Sequence, residues 1–321
     1  NPDEPDYTSA VLADQPVLYW NFEEEEGNAI QRAPVTLPAP NPANNELLPQ
    51  LGATRVAHSE IGSGLTLGNA ADLNGVSYFQ AVDLDTGLGL VSAPWAVEFW
   101  FQIQGDNSMQ REDYLINFGT YPGGDNSPAF IFDYKPDQFE VFGGAAGRTD
   151  NGPTIADNEW HHLLWVYYGD GATGVGNRLE AWVDGVTAGD VRSTFARGIK
   201  VSEGLLVGAA IPGGSGGFEG RIDELAVYKL DDLATEADIT ARVEELAARH
   251  MNAALNPPPR LTLVRAGSQI TISWPGEGFV LQENANVANP AGWTDAAGGA
   301  ASPVTVTVPA SGMKFYRLRQ Q

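Results

Sequence analysis

Short runs that alternate between apolar and polar residues recur along most of this chain. The clearest is Trp95–Ile103, whose odd positions are all apolar or aromatic and whose even positions include Glu98 and Gln102. Because successive side chains of a strand point to opposite faces, the odd set predicts a row that faces a core. Trp100 falls on the other face, as an exposed aromatic that requires either a function or a covering loop.

Similar runs are bounded by Gly, Asn, Asp or Pro, and the chain has 37 Gly and 21 Pro. Several short strands at this spacing predict an all-β sandwich. The runs are Val17–Phe22, Ala96–Gln102, Tyr114–Phe118, Ala129–Tyr134, Gln138–Phe142, His161–Tyr168, Arg178–Val183, Gly204–Val207 and Arg221–Tyr228. Hydrophobic residues make up 43% of the chain, which is enough for a sizeable core.

One helix is predicted near the end of this β region, over residues 235–252. Thr235 and Asp238 resemble a capping box, and apolar residues then recur at helical spacing. Those residues are Ile239, Val243, Leu246 and Ala247. The prolines in Asn256–Pro259 cannot continue the helix and predict a stiff linker.

Five further strand-like runs follow the linker and predict a second, small β-sandwich. The expected organisation is an N-terminal arm over 1–10, a sandwich over 11–254 that ends in the helix, a Pro-rich linker over 255–260 and a small module over 261–321. The chain starts at Asn1 without Met, which we interpret as a processed start of a secreted protein.

Charge is distributed unevenly between these predicted domains. The net charge is −23, and five basic and three acidic residues give +2 from Asn256 onward, which leaves −25 for residues 1–255. Such a surface repels phosphate backbones and favours cations such as Ca²⁺. The absence of cysteine excludes disulfides and thiol chemistry. No apolar run is long enough to span a membrane.

Five segments, in this order, resemble bacterial laminin-G domains of the concanavalin A-like, jelly-roll class. They are Val11–Trp20, Ala96–Phe101, Asn158–Leu163, Leu179–Gly185 and Phe218–Tyr228. The resemblance implies an all-β jelly-roll sandwich with one C-terminal helix. The later segments Ile270–Pro275, Phe279–Glu283 and Lys314–Arg319 are similar to small terminal β modules of secreted proteins in planctomycete- and verrucomicrobia-like bacteria.

The resemblance also implies a structural calcium site at one edge of the sandwich. The matching positions are the carboxylates of Glu24 and Asp223, with a carbonyl near Gly27. Many relatives have an Asp-x-Ser-Gly-like stretch here, and this chain has Asn28–Arg32 instead. The alternative is that Glu23–Glu26 is a solvated acidic turn. A second calcium-like stretch, Asp83–Gly87, lacks the later ligands of an EF-hand and is read as a plain turn.

Catalytic residues are not predicted. Glycosidases of this fold class use two carboxylates on one strand, and the central strand offers only Glu98. His161 and His162 are adjacent on a strand, point to opposite faces and cannot chelate one ion together. We assign them structural roles.

The function expected from these observations is a non-catalytic extracellular structural or adhesive protein at the cell surface. It could associate with itself, head to tail, into a filament, sheath or matrix. The alternative is a carbohydrate-binding module for an extracellular polysaccharide, with exposed aromatic side chains as stacking platforms. The candidate platforms are Trp100, Tyr121 and Tyr134, with Trp95 and Trp182 as further candidates. A glycoside hydrolase of the same fold is the least expected function. Nucleic acid is not an expected partner.

Overall fold

The structure is a computed structural model of the full 321-residue chain. The residues it describes are 7–33, 46–57, 69–81, 93–104, 113–118, 129–132, 139–142, 148–149, 158–169, 178–192, 204–213, 216–255, 261–274, 278–286, 292–307 and 313–320. The chain divides into two compact units. One comprises Thr8–Leu255, and the other comprises Asn256–Gln321 together with Asn1–Tyr7.

Two helices and fifteen strands build the larger unit over its described residues. The helices are α1 (Tyr7–Ala13) and α2 (Glu236–Leu255). The strands are β1 (Leu18–Trp20), β2 (Leu48–Gln50), β3 (Thr54–Ala57), β4 (Asn69–Asn74), β5 (Tyr78–Ala81), β6 (Trp95–Ile103), β7 (Asp113–Phe118), β8 (Ala129–Phe132), β9 (Phe139–Phe142), β10 (Arg148–Thr149), β11 (Trp160–Tyr167), β12 (Arg178–Val183), β13 (Val186–Arg192), β14 (Leu205–Val207) and β15 (Glu219–Lys229).

These strands form two antiparallel sheets that pack face to face. The first, sheet A, has the order β13-β12-β11-β6-β15-β4-β3, with β1 also paired to β15. The second, sheet B, has the order β10-β9-β8-β7-β14-β5-β2. The predicted all-β sandwich is therefore confirmed, and the order along each sheet shows that neighbours in space are often distant in sequence.

The core between the sheets is built from one face of each strand. In β6 the odd residues, from Trp95 to Ile103, lie in this core, as their alternation predicts. Across the strand pair β6–β11 the ring of Trp95 meets that of Trp165 edge to face, with centroids 4.9 Å apart. Leu205 and Val207 of β14 supply the facing layer from sheet B. Burial of these large side chains from water is the main stabilising term of such a core.

The outer face of sheet A differs from the prediction. Trp100 was expected to be exposed, and it is 1% exposed. The reason is that α1 and α2 cover the central part of this face. The sequence predicts an arm over 1–10, whereas the chain is helical from Tyr7 to Ala13. The segment Val11–Trp20, which resembles the start of laminin-G domains, combines the end of this helix with β1 (Leu18–Trp20).

The predicted capping box of α2 is confirmed in detail, and the turn between β12 and β13 has a regular geometry. The Thr235 hydroxyl accepts from the Asp238 amide at 3.2 Å, and Asp238 Oδ2 accepts from the Thr235 amide at 3.1 Å, so both donors of the capping box are satisfied. Asp184 and Gly185 have φ of 51° and 76°, as a type I′ hairpin turn between β12 and β13 requires.

The smaller unit contains strands β16 (Thr262–Ala266), β17 (Gln269–Ser273), β18 (Phe279–Asn284), β19 (Thr294–Asp295), β20 (Val304–Thr307) and β21 (Phe315–Gln320). They form two three-stranded sheets, β16-β17-β20 and β19-β18-β21. Ile272, Trp274, Leu281 and Leu318 are buried in its core.

Neither helix in the described ranges combines the length and apolar character that a bilayer crossing requires.

The cap of α2 yields a stability prediction. Replacing Thr235 by Ala leaves an N-terminal amide of the helix without its side-chain acceptor, so we expect the free energy of unfolding to fall by about 1 kcal/mol. Chemical denaturation followed by circular dichroism measures it. Because Thr235 and Asp238 act on one cap, the double variant with Asp238→Ala should lose less than the sum of the single losses.

The matched control is Glu244→Ala, an exposed position within the same helix. It should change the free energy of unfolding by less than about 0.5 kcal/mol. Equal losses in Thr235→Ala and Glu244→Ala would show that the cap does not stabilise α2.

Candidate functional site

The carboxylate of Glu98 lies at the centre of the outer face of sheet A and is 0% exposed. Its Oε1 accepts a hydrogen bond from the Tyr228 hydroxyl at 2.8 Å, across the β6–β15 pair. Its Oε2 lies 2.8 Å from Nδ1 of His250 and 3.5 Å from Nε2 of His162. Each of these partners comes from a different element, so Glu98 ties β11, β15 and α2 to the central strand.

His250 also connects Glu98 to the N-terminal part of the unit. Its Nε2 lies 2.9 Å from Oδ2 of Asp14, the residue that follows α1. Oδ1 of Asp14 accepts from Arg242 at 2.8 Å and also from Arg249, both on α2. We call Asp14, Glu98, His162, Tyr228, Arg242, Arg249 and His250 the buried ion cluster.

The charges of this cluster shift the pKa values of its members. Burial alone lowers the pKa of His250, but the charge of Glu98 and the hydrogen bonds to Asp14 and Glu98 outweigh it and raise this pKa to about 9. Burial alone raises the pKa of Glu98, but the charge and hydrogen bond of His250 and the nearby ring of His162 outweigh that effect and lower it to about 2. His250 is therefore an imidazolium at neutral pH, and both ring nitrogens donate to carboxylates.

The cluster holds two helices: Arg242 and Arg249 at its rim are partly exposed, and its centre does not reach solvent. Glu98, His162 and His250 are all 0% exposed, and both oxygens of Glu98 are engaged. A general acid needs a proton to give near the operating pH, and a carboxyl with a pKa of about 2 has none. The arrangement therefore stabilises the cover of sheet A.

A second polar group lies on the same face nearer to β13. The Tyr168 hydroxyl donates to Oε2 of Glu180 and contacts the Thr240 hydroxyl of α2 at 3.0 Å. Burial and the hydrogen bond to Glu180 raise the pKa of Tyr168. Arg178 contacts Glu180 at 3.3 Å and Glu236 at 3.5 Å. This group fixes the N-terminal half of α2 to β11 and β12.

One end of the outer face of sheet A carries polar side chains on three adjacent strands. The pairing places Gln102 of β6 opposite Arg221 of β15, and Arg221 opposite Asp72 of β4. Asn74, Gln104 and Glu219 lie two positions from Asp72, Gln102 and Arg221, so the same alternation places them on this face as well. We call the set the polar end of sheet A: Asp72, Asn74, Gln102, Gln104, Glu219 and Arg221.

Hydrogen bonds within the polar end orient its side chains. Oε1 of Gln102 accepts from Gln104 at 2.9 Å and from Arg221 at 3.4 Å. Nε2 of Gln102 donates to the Asn158 carbonyl at 2.6 Å. Nε of Arg221 lies 3.3 Å from Oδ1 of Asp72. The group thus combines amides, carboxylates and a guanidinium in fixed positions, with Asn74 and Glu219 exposed.

The calcium ligands expected from the resemblance are held by other groups. Oε1 of Glu24 accepts from Arg32 at 2.5 Å and from the Ile30 amide at 3.2 Å. Oε2 of Glu24 lies 3.8 Å from Nη2 of Arg55, and the Gly27 carbonyl accepts from Nη1 of Arg55 at 3.0 Å. A donor set that faces two guanidinium groups does not fit a divalent cation, because cations repel each other.

The third expected ligand, Asp223, lies on β15 opposite Trp100 and is 0% exposed. Its Oδ1 accepts from the Glu224 amide at 2.8 Å, at a β-bulge where Glu224 has φ of 55°. Burial and the charge of Glu224 raise the pKa of Asp223 well above its ordinary value. In the described ranges no three His, Asp or Glu side chains are arranged to hold a metal ion. Calcium binding stays a prediction of the resemblance.

The structure describes three of the five aromatic residues that were expected to stack on sugars, and all three are buried. A stacking platform must reach solvent, and Trp100, at 1% exposed, packs against the His162 ring with centroids 5.1 Å apart. Its assignment as a sugar platform is therefore wrong. Trp95 and Trp182 are 0% and 8% exposed. Tyr121, Tyr134 and the stretch Asp83–Gly87 lie outside the described residues.

Sequence reasoning missed the contact of Glu98 with His250 and that of His250 with Asp14, which connect the central strand to the two helices. A signal was available for His250. It follows Val243 by seven positions and Leu246 by four, so it continues the apolar stripe of α2. A histidine on the buried stripe of a helix needs a polar partner, and Glu98 is the acid on the outer face of the central strand. Nothing in the local sequence indicates that Asp14 contacts His250.

The buried ion cluster predicts a pH-dependent stability. The pKa of His250 is raised from 6.5 to about 9, so its contribution is complete below about pH 6.5 and is lost as the pH rises through 9. The pKa of Glu98 is lowered from 4.5 to about 2, so its contribution is complete above about pH 4.5 and is lost as the pH falls through 2. Replacing His250 by Gln should therefore cost about 3 kcal/mol more near pH 6 than near pH 10, measured by denaturant unfolding.

The matched control is His161→Gln, because Nδ1 of His161 lies 2.8 Å from Asp184, whose side chain is 41% exposed. Solvent reaches the Asp184 carboxylate and weakens this pair, although His161 itself is mostly buried, so the control should lack the large pH-dependent loss. A His250→Gln variant that loses the same stability at both pH values would contradict the imidazolium assignment.

Comparison with known proteins agrees with the fold. A laminin-G family model described as the concanavalin A-like lectin/glucanases superfamily matches residues 74–240. No curated protein sequence matches this chain.

Solved structures with distant similarity include domain 4 of AbnA, a GH43 extracellular arabinanase from Geobacillus stearothermophilus, in complex with arabinotriose. Its identity is 15%, its TM-score is 0.42, and the match covers 73% of this chain and 98% of that one. The binding domain of Paraclostridial Mosquitocidal Protein 1 has 13% identity, a TM-score of 0.49 and coverages of 82% and 64%. A Trypanosoma rangeli sialidase has 12% identity, a TM-score of 0.44 and coverages of 74% and 32%.

The chain thus spans less than two thirds of the last two proteins, and similarities of this size carry no argument about ligands or activity. The family model matches more than half of the chain, over the region that forms most of the two sheets. The chain therefore belongs to the concanavalin A-like lectin/glucanases superfamily.

Proposed function

We propose that the larger unit is a non-catalytic carbohydrate-binding module of an extracellular protein, and that it binds a neutral polysaccharide at the polar end of sheet A. The observation that carries the proposal is the polar end itself. It is the part of the outer face where Glu219, Asn74 and Gln104 stay accessible, whereas α1 and α2 cover the centre.

The chemistry of the polar end suits sugar hydroxyls. A hydroxyl both donates and accepts, so it is best matched by mixed donors and acceptors such as amides and carboxylates. Gln102, which is 7% exposed, orients Gln104 and Arg221, and Arg221 and Asp72 lie side by side on strands spaced by about 4.8 Å. Their mutual hydrogen bonds hold them in place before any ligand arrives, which lowers the entropic cost of binding.

Charge favours a neutral ligand over an acidic one. Residues 1–255 carry a net charge of −25, and the one cation of the polar end, Arg221, lies beside Asp72. Uronic or sulfated glycans would be repelled by this field. A neutral polysaccharide meets no such repulsion and can use the amide and carboxylate groups fully.

The state of Glu98 supports a non-catalytic role. Glycoside hydrolysis needs two carboxyl groups placed on either side of the bond to be cleaved. The acid of the central strand is sealed beneath α2 and held by Tyr228 and His250. A structural or adhesive role is compatible with polysaccharide binding, and self-association into a filament stays a prediction.

Binding of the full chain to a panel of neutral and acidic polysaccharides tests this function. Affinity electrophoresis and calorimetry should detect at least one neutral glycan, with no release of reducing ends. Arg221→Met and Gln104→Ala remove groups of the polar end and should each weaken binding by roughly tenfold, the effect of losing a hydrogen bond to a charged or oriented group.

The matched control is Gln80→Ala, because Gln80 is a partly exposed amide on the outer face of sheet B. It should leave the affinity unchanged. Failure to bind any glycan, or release of reducing ends, would contradict the function. Loss of binding in Gln80→Ala and not in Gln104→Ala would leave the function and move the site to sheet B.

A further inference from the structure

Arg55 is a buried cation at the edge of sheet A. It lies on the edge strand β3, and its side chain is 3% exposed. Its guanidinium carbon lies 5.2 Å from the centre of the Phe79 ring, so one part of the group packs on the core. A charge in such a place is costly unless an opposite charge or strong acceptors surround it.

The acidic turn supplies one acceptor and one opposite charge. Nη1 of Arg55 donates to the Gly27 carbonyl at 3.0 Å, and Nη2 lies 3.8 Å from Oε2 of Glu24. Burial lowers the pKa of Arg55 and the charge of Glu24 opposes that effect. An arginine side chain remains protonated in proteins, so the guanidinium is a permanent cation at this edge.

Glu24 is oriented from its other side. Its Oε1 accepts from Arg32 at 2.5 Å and from the Ile30 amide at 3.2 Å. The side chain of Arg32 is 39% exposed, whereas that of Glu24 is 13% exposed. The turn over residues 24–30 is thus closed around one buried and one surface guanidinium. The oxygens of Glu24 and Gly27 that the family resemblance assigns to a metal are the same oxygens that face these groups.

We propose that the guanidinium of Arg55 is the resident cation of this edge, in the position that the resemblance assigns to calcium. It connects the acidic turn to β3 and to the core in the way that a structural metal would. The larger unit consequently keeps this edge ordered without a divalent cation. A further consequence is that the acidic turn cannot release its cation to a chelator.

Thermal unfolding of the full chain tests the proposal, with wild type, Arg55→Gln and Arg32→Gln each measured in chelator and in millimolar Ca²⁺. The wild-type Tm should be the same in both solutions, and calorimetry should show no calcium binding at this edge. Arg55→Gln leaves the buried oxygens without their cation and should lower the Tm by roughly 10 °C.

Arg32→Gln is the matched control, because it removes a guanidinium from the same carboxylate at an exposed position. It should lower the Tm by no more than about 3 °C. An Arg55→Gln variant as stable as Arg32→Gln would overturn the proposal. A calcium-dependent rise in the wild-type Tm that Glu24→Gln abolishes would overturn it as well.

Discussion

A carboxylate in the middle of a β-sheet must be neutralised, and in this chain that requirement decides what covers the sandwich. Glu98 lies on the central strand of sheet A with 0% exposure. The penalty for an isolated charge there would exceed the stability of a typical domain. His250 removes the penalty by placing an imidazolium 2.8 Å away, and Asp14 shares that imidazolium from the far side. The two helices are therefore docked by a charge requirement as well as by apolar burial.

The docking of α1 and α2 divides the outer face of sheet A into two parts with different chemistry. Beneath the helices the polar groups are engaged with one another, as Tyr228 with Glu98 and Tyr168 with Glu180 show. Beyond the helices, a hydrogen bond holds Gln102 and Arg221 in place. Other residues of the polar end, such as Asn74 and Glu219, are exposed to solvent. The sandwich thus offers an oriented polar surface at one end of a sheet whose centre is closed.

Much of the fold follows from the sequence, because the signals that define it are local. The alternation in Trp95–Ile103 predicts which side chains enter the core, and Thr235 with Asp238 predicts the start of α2. The turn between β12 and β13 is equally local, because Asp and Gly tolerate the positive φ that a type I′ turn requires at Asp184 and Gly185. Each of these signals depends on residues a few positions apart, so it can be recognised in the sequence alone.

The sites depend on contacts between distant residues, and for them the sequence gives little. The alternation that places Trp100 on the outer face is right, but exposure depends on whether a helix more than a hundred residues later packs there. The partners Asp14, Glu98 and His250 are separated by up to 236 positions. Likewise, the sequence suggests Glu24 as a metal ligand, and only the structure shows that Arg55, on the strand β3, faces it.

The sandwich neutralises the carboxylates of Glu98 and Glu24 in different ways, and the difference determines where it can respond to its surroundings. At the centre, the cation is a histidine whose proton can leave as the pH rises through about 9. At the edge, the cation is an arginine that keeps its charge over the whole accessible pH range. A rise in pH therefore weakens the attachment of α2 first, while the acidic turn stays closed. The cover of sheet A is consequently the part of the unit that alkaline conditions loosen, and the edge that holds Glu24 is the part that they leave intact.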